Sequence, residues 1–441
     1  MGKGDFMNRN LSKCFAICIF LPSLLIAAGC GGDSVQSNPP NESNARASIV
    51  NDEAVLAARV TDYTDTFGNS AVDVPVDDAP SYTGYAPVRT FAPPSPSAPA
   101  TVSLALLAEA TPPSINGRLL QATSIAVDGN KVVVSYNNAG LPQIGGVDVF
   151  NIANGYKTQL KSQALFTDAK VNAVTLDDSY VYAAEADNSD FPAHFEVMQL
   201  SGVNLTLAGN NRTPLPSYAG TSAFASSRYL YATSGDNGAL SVYTLDNTLV
   251  PLKTFPLRDA RWVDVSDGVV AVAQGTPGTL SIFSENSILT ASGPVSVFPF
   301  PGGNVPESKS TVQVVGGKAV VAAGDNGVQV ISLRTGKVLA HVPLPDNNAL
   351  GLAKSVVVSN AVAVDTAEGG TLMFISNGEA GVYVARSDTP FRQDWGETPR
   401  AVSIVGKLRF GSLQSVNHVT YSDGVLIVAA GTGGVKIVKI H

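Results

Sequence analysis

The chain has 441 residues, of which 44% are hydrophobic and only 15% charged, with 36 acidic against 28 basic side chains and a net charge of −8. That apolar share suits a large core of strands covered on both faces and excludes a disordered chain. An acidic chain without basic clusters makes a poor partner for a phosphate backbone, which excludes nucleic-acid binding as well.

The amino terminus comes first. Lys3, Arg9 and Lys13 precede the apolar run CFAICIFLPSLLIAA, residues 14–28. This is the layout of a secretory signal, and the run is too short to span a bilayer comfortably. It ends in AAGC at Cys30, with Gly31 and Gly32 beyond. Residues 1–29 are therefore expected to be a signal peptide. Cys14 and Cys18 fall within it, which leaves the mature chain no thiol besides Cys30 and no disulfide. Residues 30–100 are rich in Asn, Ser, Ala and Pro and end in FAPPSPSAPA, a composition that predicts a semi-extended tether. Within it, NDEAVLAARVTDY from Asn51 carries a capping residue and an acidic first turn, the start signal of a short helix.

From residue 101 the chain is dominated by one recurring pattern, seen most plainly in KAVVAAGDNGVQVISL from Lys318: an apolar strand, a tight Gly turn, then an alternating strand. Copies anchored on Gly238, Gly278, Gly327, Gly381 and Gly434 follow two looser ones around Gly146 and Ala193, at spacings of 40 to 54 residues. A further strand and turn precede each hairpin (SIAVDG, NAVTLDD, SAFASS, WVDVSDG, TVQVVGG, SVVVSN, HVTYSDG), and a weaker strand ending near Pro follows most of them, as in PLKTFPL and KVLAHVPLP. Period-two alternation with Val, Ala and Ile enrichment reads as strand, and Pro is tolerated on an outer edge. Seven four-stranded units of this period predict an all-β, seven-bladed β-propeller over residues 101–441. The last unit stops inside or just after its third strand, which would leave a bare edge. TVSLALLAEA, residues 101–110, has the length and apolar content of the missing strand, so residues 102–108 are expected to pair with 435–440 and close the ring.

On these residues three resemblances arise. The AAGC junction resembles the bacterial lipobox, which implies lipid on Cys30, attachment to the cell envelope and, with no Asp directly after Cys30, the outer membrane. The hairpins KAVVAAGDNGVQVISL and GVLIVAAGTGGVKIVKI resemble those of LVIVD-repeat proteins, exported β-propellers, although the Asp-x-Ser-x-Pro continuation of that family is missing. SLRTGKVLAHV from Ser332 is similar to YVTN and quinoprotein-like propellers. Quinone-cofactor propellers dock a Trp in nearly every blade, whereas only Trp262 and Trp395 occur here, so no such cofactor is expected.

In a propeller the first strand of each blade lines the central channel, so residues opening those strands converge on one mouth. In blade order they are Thr123 and Ser124, Asn172, Thr221 and Ser222, Arg261 and Trp262, Ser310 and Thr311, Lys354 and Ser355, Asn417 and His418. Asn172, Arg261, Trp262, Lys354, Asn417 and His418 are the candidates to hold a polar or anionic ligand. The same groups could instead bond one another and channel water. Arg261, Lys354 and His418 are expected to meet across the opening. The irregular loop EADNSDFPAHFE offers Asp187 and Asp190 as oxygen ligands for calcium, though without the spacing of a built site. Asp236 and Asp325 are expected to cap their own turns, and His341, mid-strand, to be structural. There is no GxSxG, HExxH or GxxxxGK. Two functions follow: a monomeric, lipid-anchored scaffold that binds a protein, glycan or other envelope partner, or a lactonase-like enzyme using His418, Arg261 and Glu307.

Overall fold

The structure, a computed structural model, describes residues 42–440 apart from residues 45, 64–101, 103, 154–156, 307, 368, 412 and 413. Cys30 and Glu307 lie outside the described residues, as do the expected signal peptide and His441.

Among the described residues, seven antiparallel sheets of four or more strands succeed one another along the chain, besides a two-stranded ribbon of Ser114–Ile115 and Arg118–Leu119. Their inner strands are Gln121–Asp128, Ala169–Leu176, Ser222–Ala225, Ala260–Ser266, Val312–Val315, Ala361–Val364 and His418–Ser422. Each touches the inner strand of the next sheet, and the seventh touches the first, so the sheets form the blades of one ring. Second strands such as Val425–Ala429 are buried along their whole length, because a neighbouring blade covers each face. Among the described residues the apolar side chains gather into seven clusters, each at a seam between two blades. Fully burying one such Leu, Val or Phe stabilises the fold by about 1.5–3 kcal/mol, so stability is spread around the ring.

The repeated turn glycine has a packing reason. At Gly327 and Gly434 the backbone is left-handed, with φ of +68° and +71°. A Cβ there would also collide with the outer strand's carbonyl oxygen, of Val342 in blade five and of Ala110 in blade seven. Only glycine provides both the dihedral and the clearance.

Ala110 belongs to the strand Leu104–Ala110, which pairs antiparallel with Val435–Ile440 and completes blade seven, with Leu104 opposite Ile440 and Ala110 opposite Val435. Ring closure is therefore as expected, two residues further along than the expected 102–108. Val102 instead donates its N–H to Val405 O of blade six at 3.4 Å.

Two features differ from expectation. Residues 42–63, read as tether, are built into the ring. Glu42–Ser43 and Ala47–Val50 extend blade one to six strands by pairing on Thr158–Phe166, and Val60–Asp62 extends blade seven to five by pairing on Leu104–Ala110. Between them lies the expected helix, Glu53–Ala57, with Asp52 as its cap. The outer strands of blades one and seven have unpaired edges, and even a four-residue run such as ASIV finds its hydrogen bonds there. In blade six the inner strand is Ala361–Val364, not SVVVSN. The turn after it holds Gly369 at φ +81°. The apolar Val356–Val358 stretch lies in the approach to the blade, and its polar end, Ser359 and Asn360, stands where the inner strand begins.

Candidate functional site: the channel mouth

Turn glycines place the mouth. In blades three, five, six and seven the first glycine of the hairpin turn bridges to a residue within two positions of the start of the next blade's inner strand: Gly235 to Ala260, Gly324 to Ser359, Gly378 to Val416 and Gly431 to Ala122. The polar residue beside each of these points is thereby delivered to a shared opening.

What those side chains do there is regular. Thr123 Oγ1 donates to Val171 O of blade two at 3.1 Å, Asn172 Nδ2 to Gly220 O of blade three at 2.9 Å, and Thr221 Oγ1 to Ala260 O of blade four at 2.8 Å. Arg261 Nη1 reaches Val305 O at 2.7 Å on the approach to blade five, Ser308 Oγ reaches Ser359 O at 3.4 Å, Asn360 Nδ2 reaches Val416 O at 3.3 Å, and Asn417 Nδ2 returns to Ala122 O of blade one at 2.9 Å. Each seam is crossed by a side chain that satisfies a backbone carbonyl of its neighbour, a contribution of about 0.5–1.5 kcal/mol apiece. Of the two uses open to these groups, bonding one another's blades accounts for most of them.

Arg261, buried, is fully engaged. Its Nε and Nη2 pair with the two oxygens of Asp259 at 3.0 and 2.7 Å. Burial alone would raise the Asp259 carboxyl, but the hydrogen bonds and charge of Arg261 hold it below the usual carboxylate range.

Lys309 is different. It enters the opening from the loop before blade five and donates from Nζ to Asn172 O at 2.8 Å, 137 positions away in sequence. The ammonium lies 5.8 Å from the Trp262 ring centroid, and Trp262 stacks on His418 with centroids 5.0 Å apart. Burial brings the Lys309 amine down to about 8. Burial and then the charge of Lys309 bring the His418 imidazole down to about 3, so it is neutral, and its Nδ1 has no hydrogen-bond partner among the described residues. Above Trp262 a cavity of about 300 Å³ opens among Asn137, Asn172, Tyr218, Arg261, Lys309 and Asn360. Below it the channel continues as a second space of about 260 Å³ past His418 and Asp264.

Of the expected ligand-binding residues, Asn172, Arg261 and Asn417 line the mouth, and Trp262 and His418 line the channel beneath it. Lys354 does not. It is exposed in a 3₁₀ turn, Lys354–Val356, because the blade-six strand begins six residues later than SVVVSN suggested. Its place among the cations is taken by Lys309, and its place in blade six by Asn360. Lys309 had a signal in the sequence, being the one charged residue in SKST just ahead of an inner strand. Asn360 was hidden by the misplaced strand. Of the lactonase-like constellation, Arg261 is tied to Asp259 and His418 is stacked under Trp262.

At the irregular loop, Asp187 Oδ1 accepts from Ser189 N at 2.9 Å and Oγ at 2.6 Å, and Oδ2 lies 3.2 Å from both Arg212 and His194. Asp190 is exposed. Arg212 also pairs with the buried Glu185 and Glu196, and Arg46 of the N-terminal arm joins Glu196 and Asp168. Burial, followed by the charge of Glu196, pushes the Glu185 carboxyl well up. This is a network of charges closed on itself. Asp325, expected to cap its own turn, instead accepts from Asn304 N and Nδ2, both at 3.2 Å. His341 is exposed, with Nε2 2.9 Å from Asn326 O.

No protein-family model and no curated protein matches the sequence. Among solved structures, the computationally designed Ika8 protein is similar over 74% of this chain and 98% of its own, at 13% identity and a TM-score of 0.42. The WD40 β-propeller domain of Doa1 is similar over 75% and 96%, at 14% identity and 0.44, and BamB from Moraxella catarrhalis over 77% and 89%, at 11% identity and 0.42. The propeller assignment rests on the seven sheets and their order around the ring, not on these likenesses.

Proposed function

We propose that this propeller is a lipid-anchored envelope scaffold that docks a protein partner on the rim around its channel mouth. The anchor reading rests on the AAGC junction at Cys30 behind a basic, then apolar, leader. The docking reading rests on one observation: large apolar side chains stand exposed on mouth-side loops of three consecutive blades. Leu141 is 71% exposed in blade one, Phe191 79% in blade two, and Tyr218 61% on the approach to blade three. The loops of blades one and two are fastened together, Gln143 N donating to Asn188 Oδ1 at 2.9 Å, so the tips form a fixed surface rather than separate flexible ends. Aromatic and aliphatic anchors on a rigid, polar-bordered rim are what the centre of a protein interface is made of.

The test is in-cell crosslinking of the full chain followed by capture, comparing Leu141→Asp/Phe191→Asp with Val250→Asp/Val295→Asp, whose apolar residues lie at the ends of the outer strands of blades three and four on the other side of the ring. The rim variant should lose a partner that the control variant keeps. Equal capture by both would overturn the reading.

A further inference from the structure

Lys309 stands apart from the other charged groups at the mouth. Arg261 has a dedicated carboxylate in Asp259, and the Thr, Ser and Asn side chains each satisfy a neighbouring blade. Lys309 uses one of its three donors, on Asn172 O, and among the described residues no carboxylate pairs with it. A half-buried cation with no counter-charge among the described residues is costly, so a fold that holds one at a cavity wall favours an anion that fits the cavity.

The rest of the wall says which anion. Asn137 donates from Nδ2 to Asn172 Oδ1 at 3.0 Å and keeps Oδ1 unbonded among the described residues. Asn360 uses one N–H on Val416 O and keeps its own Oδ1, and Asn417 likewise keeps its second N–H. Side-chain amides that still offer both donor and acceptor match hydroxyl groups, which do the same. Tyr218 adds an exposed aromatic ring at the rim of the same cavity. A volume of about 300 Å³ is at the small end of ligand sites, roughly 300–1,000 Å³, and suits one sugar ring rather than a chain.

We propose that the channel mouth binds a small carboxylate-bearing sugar, its acid group on the Lys309 ammonium and its hydroxyls on the amides of Asn137, Asn360 and Asn417. The ligand sits inside the opening that the apolar rim surrounds, and it binds whether or not a protein docks outside. Trp262, directly beneath Lys309, is a built-in reporter.

The experiment titrates the full chain with glucuronate, glucose and acetate, read by tryptophan fluorescence and calorimetry. Glucuronate should bind saturably at pH 7, with glucose and acetate each at least about tenfold weaker, because each lacks one half of the recognition. Lys309→Met should weaken glucuronate about ten- to a hundredfold, the usual worth of a charge-assisted hydrogen bond, and Lys309→Arg should keep part of the affinity. Wild-type affinity should fall above pH 8 as the amine loses its proton, and that fall should be absent in Lys309→Arg. Melting of both variants checks that they fold, and glucuronate should raise the melting temperature of wild type but not of Lys309→Met. No saturable binding by wild type, equal binding by Lys309→Met, or equal binding of glucose and glucuronate would each overturn the proposal.

Discussion

Replacing Leu56 with alanine tests whether the N-terminal arm is a working part of the ring. The helix Glu53–Ala57 has one buried side chain, Leu56, and five residues are far too few for a helix to persist alone in water. Asp52 caps it, accepting from Ala54 N at 3.0 Å and Val55 N at 3.4 Å, but capping contributes only about 1 kcal/mol. Leu56 supplies the rest, inserted among Leu107, Ile115, Leu120 and Leu160 at the seam of blades seven and one. Truncating a buried Leu to Ala costs about 2–5 kcal/mol. Were the arm inseparable from the ring, that loss would lower the melting temperature by about 3–7 °C for a ring of this size. The arm lies at two blade edges, however, where local opening comes first. Its Arg59 is held by Asp148 at 2.7 Å and by Thr111 O at 2.7 Å, and its Arg46 by Glu196 and Asp168. Both arginines become trypsin sites only when the arm lifts. A loss near 3 kcal/mol raises the open population about a hundredfold, so the expected result is cleavage at Arg46 and Arg59 faster by that factor, with the ring melting within about 1 °C of wild type. Unchanged cleavage with unchanged melting would refute the docking of Leu56, and insoluble protein would refute independent opening.

Asp264 lines the channel, and burial brings its carboxyl up to about 7, although it accepts from Val314 N at 2.7 Å. A carboxyl raised above its unfolded value near 4 binds its proton more tightly in the fold, so this contribution is present below about pH 4 and is lost as pH rises through 7. Asp264→Asn should therefore gain stability relative to wild type between pH 5 and pH 8, measured as the difference in melting temperature; a difference that does not change with pH would refute it. Cys30→Ser should abolish lipid attachment and signal cleavage, read by mass spectrometry of the membrane fraction, and an unaltered mature mass apart from the substitution would show that Cys30 carries no lipid.

The sequence alone determined the blades and their closure. Alternation of period two, a glycine at the second turn of most hairpins and a spacing of 40 to 54 residues are local or strictly repeated signals, so they are legible without any contact map. The apolar content of residues 101–110 and the missing outer strand of the last unit were enough to pair the two, to within two residues of the observed register. Where a local signal was ambiguous the reading slipped. VVVSN followed by AVAV holds two apolar runs before one hairpin, and only packing in the ring decides that Ala361–Val364 faces the channel. Residues 47–50 became a strand because an open edge lay beside them, a fact held in Thr158–Phe166 and not in ASIV itself. The site divides in the same way. That polar residues from seven blades converge on one mouth follows from the repeat. Which of them are already satisfied does not, since each bond ends on a carbonyl of another blade, some 40 to 300 positions away. Arg261 and Lys309 are both cations near the start of inner strands, the first just inside one and the second just ahead of one. The first has its carboxylate two residues away in Asp259, whereas the surroundings of the second come from Asn172 and Trp262, in other blades. Charge compensation depends on distance in space, and only the closed ring sets those distances.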